Sequence, residues 1–289
     1  MRTLMLAGAL ASSLLCGTAL TQAAGAADIK NGGSMVVTYK DDVATLDPAI
    51  GYDWQNWSMI KALFDGLMDY EPGTTTLRPN LAESYEMSAD GMTYTFKLRQ
   101  GVKFHNGRAL AADDIKYSIE RTVNPATQSP GAGFFGSIKG FEEGKKLEGL
   151  EVVDDKTFTI ELTQPESDFP SRLGYTAFFP MHPSAYDDIE AYGEKPISNG
   201  PYTLSEWNHN QNAVVVPNAE YDGPRKAQND GLDYVFYAQQ DAAYADLLSG
   251  NLDVLDAVPD SALANFEDEL GERAVNQPAA AFQSITINE

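Results

Sequence analysis

Residues 80–121, NLAESYEMSADGMTYTFKLRQGVKFHNGRALAADDIKYSIER, constrain the fold more than any other stretch, because strand, turn and helix signals succeed one another in a single order there. Thr93, Thr95 and Lys97 alternate with Tyr94, Phe96 and Leu98, the period of two expected of a half-buried strand. Asp90-Gly91 supplies the turn that introduces it, and Gln100-Gly101 and His105-Asn106-Gly107 mark turns beyond its end. Asp113 and Asp114 then fall in the first turn of a helix, where carboxylates oppose the positive end of the dipole. Ile115, Ile119 and Val123 continue an apolar stripe along it.

The amino terminus reads as an export signal over residues 1–27. Arg2 is its only charge, an apolar stretch covers residues 4–20, and Ala23-Ala24-Gly25-Ala26-Ala27 offers a small-residue cleavage region. A membrane anchor is the competing reading, but Gly8, Ser12, Ser13, Gly17, Thr18 and Gln22 interrupt the segment. Leu15 precedes Cys16 where a lipidation site wants a small residue, so export without lipidation is expected, and with it a periplasmic location. Cys16 is the single cysteine, so no disulfide framework is available to the chain. The formal net charge of -22 disfavours nucleic acid and anionic lipid as partners. Its carboxylates come as doublets (Asp41-Asp42, Asp113-Asp114, Asp154-Asp155, Asp187-Asp188) that suit solvated turns and helix starts better than a metal cage.

Along the rest of the chain, strands are predicted at residues 34–39, 67–70, 157–162, 201–207, 213–216, 234–237 and 252–255. Helices are predicted at 54–65, ended by Gly66 as a left-handed cap, at 241–249, ended by Gly250, and from Asp260 or Ser261 to Leu270. Asp154-Asp155-Lys156 reads as a hairpin turn, and residues 282–287 as a final extended run. A length of 289 residues exceeds the roughly 100–200 usual for one domain, which favours two lobes. Strand and helix alternate in the later part, which favours an α/β fold with helices covering a sheet.

Several of these segments together resemble the family 5 extracellular solute-binding proteins, the peptide and nickel receptors of ABC importers. The resemblance rests on the 80–121 block, on Thr45-Leu46-Asp47-Pro48 with Leu63-Phe64-Asp65-Gly66-Leu67, on Ser198-Asn199-Gly200-Pro201-Tyr202, on Asn218 through Gly223 (NAEYDG), and on Leu247-Leu248-Ser249-Gly250-Asn251-Leu252-Asp253. Ala111 departs from a Thr helix cap, at about 1 kcal/mol, and Asn199 from a Thr. The resemblance implies an α/β fold of the periplasmic-binding-protein type II (cluster C) architecture, with mixed sheets and flanking helices. It implies a discontinuous lobe I from residues 28–72 and 175–289, a small subdomain inserted as 73–174, and a C-terminal ligand-binding lobe missing from this chain. It also implies a monomer that captures a peptide or similar small solute and delivers it to a membrane permease with its ATPase, without cofactor or catalysis.

For ligand contact the resemblance points to Tyr52, Asp53, Trp54 and Trp57 beyond the TLDP motif and to Phe134 and Phe135 in the Pro- and Gly-rich loop, with Asn199, Phe282 and Gln283 as further candidates. Aromatic side chains suit this work because they offer rigid apolar area with some polar capacity. Each one can equally be core, and Asn199 can simply shape a turn. His105, His182 and His209 lie apart with no zinc or nickel spacing. A secreted hydrolase is the alternative from another class, with Asp41, Asp42 and Asp47 as its only acidic pairing. No GxSxG, P-loop or HExxH motif supports it. A truncated receptor without function is the third expectation.

Overall fold

The computed structural model describes residues 31–143 and 146–277. In chain order the main elements are β1 (Ser34–Thr38), α1 (Trp54–Leu63), β2 (Met68–Tyr70), β3 (Leu77–Pro79), β4 (Ala82–Met87), β5 (Thr93–Leu98) and α2 (Ala112–Val123). They continue with β6 (Leu150–Asp154), β7 (Thr157–Glu161), α3 (Phe169–Arg172), α4 (Ile189–Glu194), β8 (Tyr202–Asn208) and β9 (Asn212–Pro217). Last come β10 (Gly231–Val235), α5 (Gln240–Ser249), β11 (Val254–Leu255) and α6 (Phe266–Leu270). The expected export signal lies outside the described residues, as do Phe282, Gln283 and the extended run at 282–287.

Two larger sheets organise the chain, and the fold is mixed α/β with flanking helices. The first has the order β11-β1-β10-β9-β8, in which β1 runs parallel to both β10 and β11, while β8 and β9 form an antiparallel hairpin. Its core gathers Val37, Leu46, Ile60, Leu63, Val215 and Tyr234. The second sheet, β4-β5-β7-β6, is antiparallel throughout. Alternation along β5 and β7 turns Tyr94, Phe96, Phe158 and Ile160 inward, with Phe96 and Phe158 paired in register and their rings stacked at 5.1 Å. Helix α2 lays Ile115, Ile119 and Val123 into the same core. No side-chain oxygen caps α2 at Ala111; instead the Asp114 carboxylate accepts from the Ala111 N–H at 2.9 Å and pairs with Arg108.

The chain passes between these cores over very short distances. Leu63 and Phe64 belong to the first core and Leu67 and Met68 to the second, and Phe178 and Phe179 divide in the same way. The second core draws on residues from Leu67 to Phe178. A third, smaller cluster joins α5 to the α6 region through Tyr244, Leu247, Leu252 and Phe266.

Three expectations need correction. Gly66 does not cap α1: the helix stops because Phe64 turns extended at φ -123° and ψ 152°, with its N–H still bonded to the Ile60 carbonyl. Gly66 is required instead by the Phe179 ring, since a Cβ there would lie 2.3 Å from a ring carbon. The helix expected from Asp260 or Ser261 is confined to α6, because residues 260–265 form turns. Asp47, expected as a loop carboxylate, is fully buried and ion-paired with Arg121.

Candidate ligand-binding site

In parallel α/β sheets, loops leaving the carboxyl ends of the strands are the usual place for a ligand, and here the loop after β1 carries most of the candidates. Its path is held from several sides. Asp42 accepts from the Trp207 indole N–H, from His209 and from the Asn210 N–H, each at 2.9 Å. Asp47 accepts from the Ala49 N–H at 2.9 Å, and the Asn56 amide donates to the Thr45 carbonyl. Asp53 then caps α1, its carboxylate accepting from the Asn56 N–H at 2.8 Å. That cap sets Trp54 and Trp57 three residues apart on the first turn, where they are neighbours; their ring centroids lie 5.9 Å apart.

Tyr52, Trp57, Phe134 and Tyr175 close into one aromatic cluster. Tyr52 stacks on Phe134 at 6.3 Å and meets Trp57 and Tyr175 edge-on at 5.9 and 6.3 Å. Tyr175 in turn stands edge-on to Trp57 at 5.3 Å and to Phe134 at 4.9 Å. The cluster opens to solvent through Tyr52, 44% exposed, and Trp54, 66% exposed. Trp54 also forms one wall of a groove of about 580 Å³ whose other walls include Leu255, Val258, Phe266, Asp256 and Arg273. The groove partly encloses the Asp256 carboxyl and raises its pKa above the ordinary carboxylate value.

The Trp57 Nε1 and the Tyr175 hydroxyl are both buried inside the cluster, beside each other and beside the Tyr52 ring. Burial also pushes the Tyr175 hydroxyl well above its ordinary pKa; the neighbouring Tyr52 hydroxyl adds to the shift and the nearby Trp57 indole only partly opposes it, so Tyr175 remains a neutral O–H donor.

The structure therefore brings Tyr52, Trp54, Trp57 and Phe134 together and separates the other candidates from them. Asp53 stands beside them, committed to the α1 cap. Phe135 turns the other way: it is fully buried in the second core with its ring 4.1 Å from that of Phe178, and offers no face for contact. Asn199 is buried and spent internally, its side chain accepting from the Asp65 N–H at 3.2 Å and donating to the Asp65 carbonyl at 3.3 Å. Phe282 and Gln283 lie outside the described residues. Sequence patterns do not reveal Tyr175, Asp256 or Arg273, because each reaches the site from a segment distant in the chain and nothing local to it signals the contact. The acidic pairing considered for a hydrolase does not form: Asp47 is closed off by Arg121, and Asp42 serves Trp207 and His209.

Among known protein families, a profile described as "Bacterial extracellular solute-binding proteins, family 5 Middle" matches residues 76–289. The glutathione-binding protein GsiB of Escherichia coli O1:K1 is 29% identical over 258 residues, covering 88% of this chain and 48% of the relative. The dipeptide-binding protein DppE of Bacillus subtilis (strain 168) is 28% identical over 269 residues with the same two coverages. Among solved structures, the Escherichia coli murein tripeptide binding protein MppA superposes with a TM-score of 0.77 at 29% identity, covering 84% of this chain and 49% of that one. OppA of Burkholderia pseudomallei shares the fold with a TM-score of 0.78 at 23% identity, covering 84% of this chain and 50% of that one. The chain thus spans about half the length of the curated relatives it matches. These relatives are named for binding, and the hydrolase alternative finds no support among them.

Proposed function

Because the chain belongs to the bacterial extracellular solute-binding proteins of family 5, we propose that it captures a peptide or a similar small solute in the periplasm and presents it to an ABC permease and its ATPase. The observation that carries this reading is the exposed pair Tyr52 and Trp54, backed by Trp57 and Phe134, at the mouth of the loop after β1. Rigid aromatic faces of this kind bind varied apolar side chains at little cost in rotamer entropy. The groove beside Trp54 adds a carboxylate, Asp256, and a guanidinium, Arg273, charges of opposite sign that complement the two ends of a zwitterion. Ligand would favour the form that the permease recognises, so that binding reports occupancy to the membrane by a shift of population. Kinship with periplasmic binding proteins supports the partners and the compartment proposed here; among the described residues no helix is long and apolar enough to cross a membrane.

Isothermal titration of this chain with glutathione and with di- and tripeptides tests the reading. The expected outcome is saturable heat with at least one of them, weakened about tenfold in Trp54→Ala, in line with an aromatic contact to ligand worth about 1.4 kcal/mol. Absence of heat with every peptide would overturn it.

A further inference from the structure

Enclosed carboxylates in this chain characteristically meet an arginine: Asp47 meets Arg121, Asp65 meets Arg225, Asp69 meets Arg78 and Asp114 meets Arg108. Asp256, in the groove beside Trp54, does not. Loss of solvent raises its pKa, and what opposes that shift is backbone N–H, not a cation. Arg273 lines the same groove without pairing with it. The surroundings deepen the imbalance. From Gln240 to Gln277 the sequence carries nine carboxylates and a single cation, Arg273. On the Trp54 wall Asp53 precedes the ring, and no Lys or Arg occurs between Lys40 and Lys61. Helix α6, which gives the groove Phe266 and Leu270, is five residues long. At 1.5 Å per residue it spans about 7.5 Å, so Glu267, Asp268 and Glu269 act on the groove within about one Debye length at 0.1 M salt. Hydrogen bonds from Asn276 to Glu267 and from Tyr244 to Glu269 come from neutral groups and leave the charges in place.

We propose that the groove beside Trp54 selects cationic peptides, whose ammonium or guanidinium group takes at Asp256 the place that an arginine takes beside Asp47, Asp65 and Asp69, and that it turns anionic solutes away. The aliphatic stem of a lysine or arginine side chain suits the apolar walls of Leu255, Val258 and Phe266 while its charged head reaches the carboxylate. The exposed Trp54 ring attracts the same cation through its face. Where the amino terminus of the peptide occupies Asp256, the carboxylates of α6 still favour a second positive charge. A rim of one sign, set over low-dielectric walls, concentrates ligands of the opposite sign and repels those of its own. The relative GsiB is named for glutathione, but that solute carries a net negative charge at neutral pH and falls on the disfavoured side. The inference rests on the peptide-binding reading given above and names its substrate class.

The test is calorimetry with Ala-Lys-Ala, Ala-Ala-Ala and Ala-Glu-Ala, at low salt and in about 1 M sodium chloride. The three peptides share both termini, so differences in affinity report the middle side chain alone. At low salt the lysine peptide is expected to bind about tenfold more tightly than the glutamate peptide, with trialanine between them. In 1 M salt, where charges act over only about 3 Å, that gap is expected to shrink to about twofold. Asp256→Asn is expected to narrow the low-salt gap about threefold, and so is the pair Asp268→Asn with Glu272→Gln, at exposed positions on and just beyond α6. A glutamate peptide bound as tightly as the lysine peptide overturns this inference alone, and so does a gap that neither salt nor Asp256→Asn reduces; binding of trialanine upholds the peptide reading in both cases. If none of the three peptides binds, the peptide reading fails and this inference falls with it.

Discussion

Arg121 and Asp47 are both 0% exposed and meet in a two-point pair, Nη1 to Oδ1 at 3.0 Å and Nη2 to Oδ2 at 2.6 Å. Met181 sulfur lies 3.0 Å from the same guanidinium, and Tyr186 presents its ring face at 6.0 Å. Withdrawing two charges from water is expensive, and their attraction compensates only while both are present. Arg121→Met should therefore lower the unfolding free energy by about 3–5 kcal/mol in urea titration, because it strands a buried carboxylate. The double change Asp47→Leu with Arg121→Met should recover much of that loss. A double variant as unstable as the sum of its parts would show that the pair acts through something other than mutual compensation.

At the scale of elements, the turn between β5 and α2 is tied to the turn before β8 by His105. Its Nε2–H donates to the Gly200 carbonyl at 3.0 Å and its Nδ1 faces the Ser198 hydroxyl at 2.9 Å, an arrangement that suits the neutral ring. Burial lowers the His105 pKa, and burial with the Arg108 charge lowers that of His182. For both, the unfolded chain takes up protons first as pH falls below the ordinary value of 6.5, so stability is lost from there downward until the folded pKa is reached. His209, held between Glu194 and Asp42 at the tip of the β8–β9 hairpin, is shifted the other way. Its contribution is complete below 6.5 and is lost as pH rises through its raised folded value. Urea midpoints measured across roughly pH 5–8 should show His105→Gln flattening the acid limb and His209→Gln flattening the alkaline one. Elements whose signals are local were legible in the sequence: β5 has the predicted bounds, the β6–β7 turn falls at Asp155-Lys156, and Gly250 ends α5 at φ +81°. The rest depends on partners far away in the chain, and no local pattern contains them. Asp47 meets Arg121 across 74 residues, Asn199 meets Asp65 across 134, and Tyr175 joins Tyr52 from a distant segment.

Over the molecule as a whole, the two cores share ion pairs as well as chain. Asp47 leaves the loop packed on the first sheet, and Arg121 comes from the helix packed on the second. Arg225 likewise holds Asp65 at 2.6 Å in the short segment where the chain passes between them, and Tyr221 donates to the same carboxylate at 2.7 Å. Such ties predict one cooperative urea transition for the wild-type chain. Phe96→Ala, which empties the centre of the second core, should shift that transition by about 3–5 kcal/mol without splitting it; two resolved steps would mean that the cores unfold independently. The cluster beyond β1 has a practical consequence of a different kind. Of the three tryptophans in the chain, Trp54 and Trp57 belong to the aromatic patch, while Trp207 is engaged by Asp42 and His209. Replacing Trp207 with phenylalanine therefore leaves a chain whose entire indole emission originates at the patch, a built-in optical gauge of whether anything has settled there.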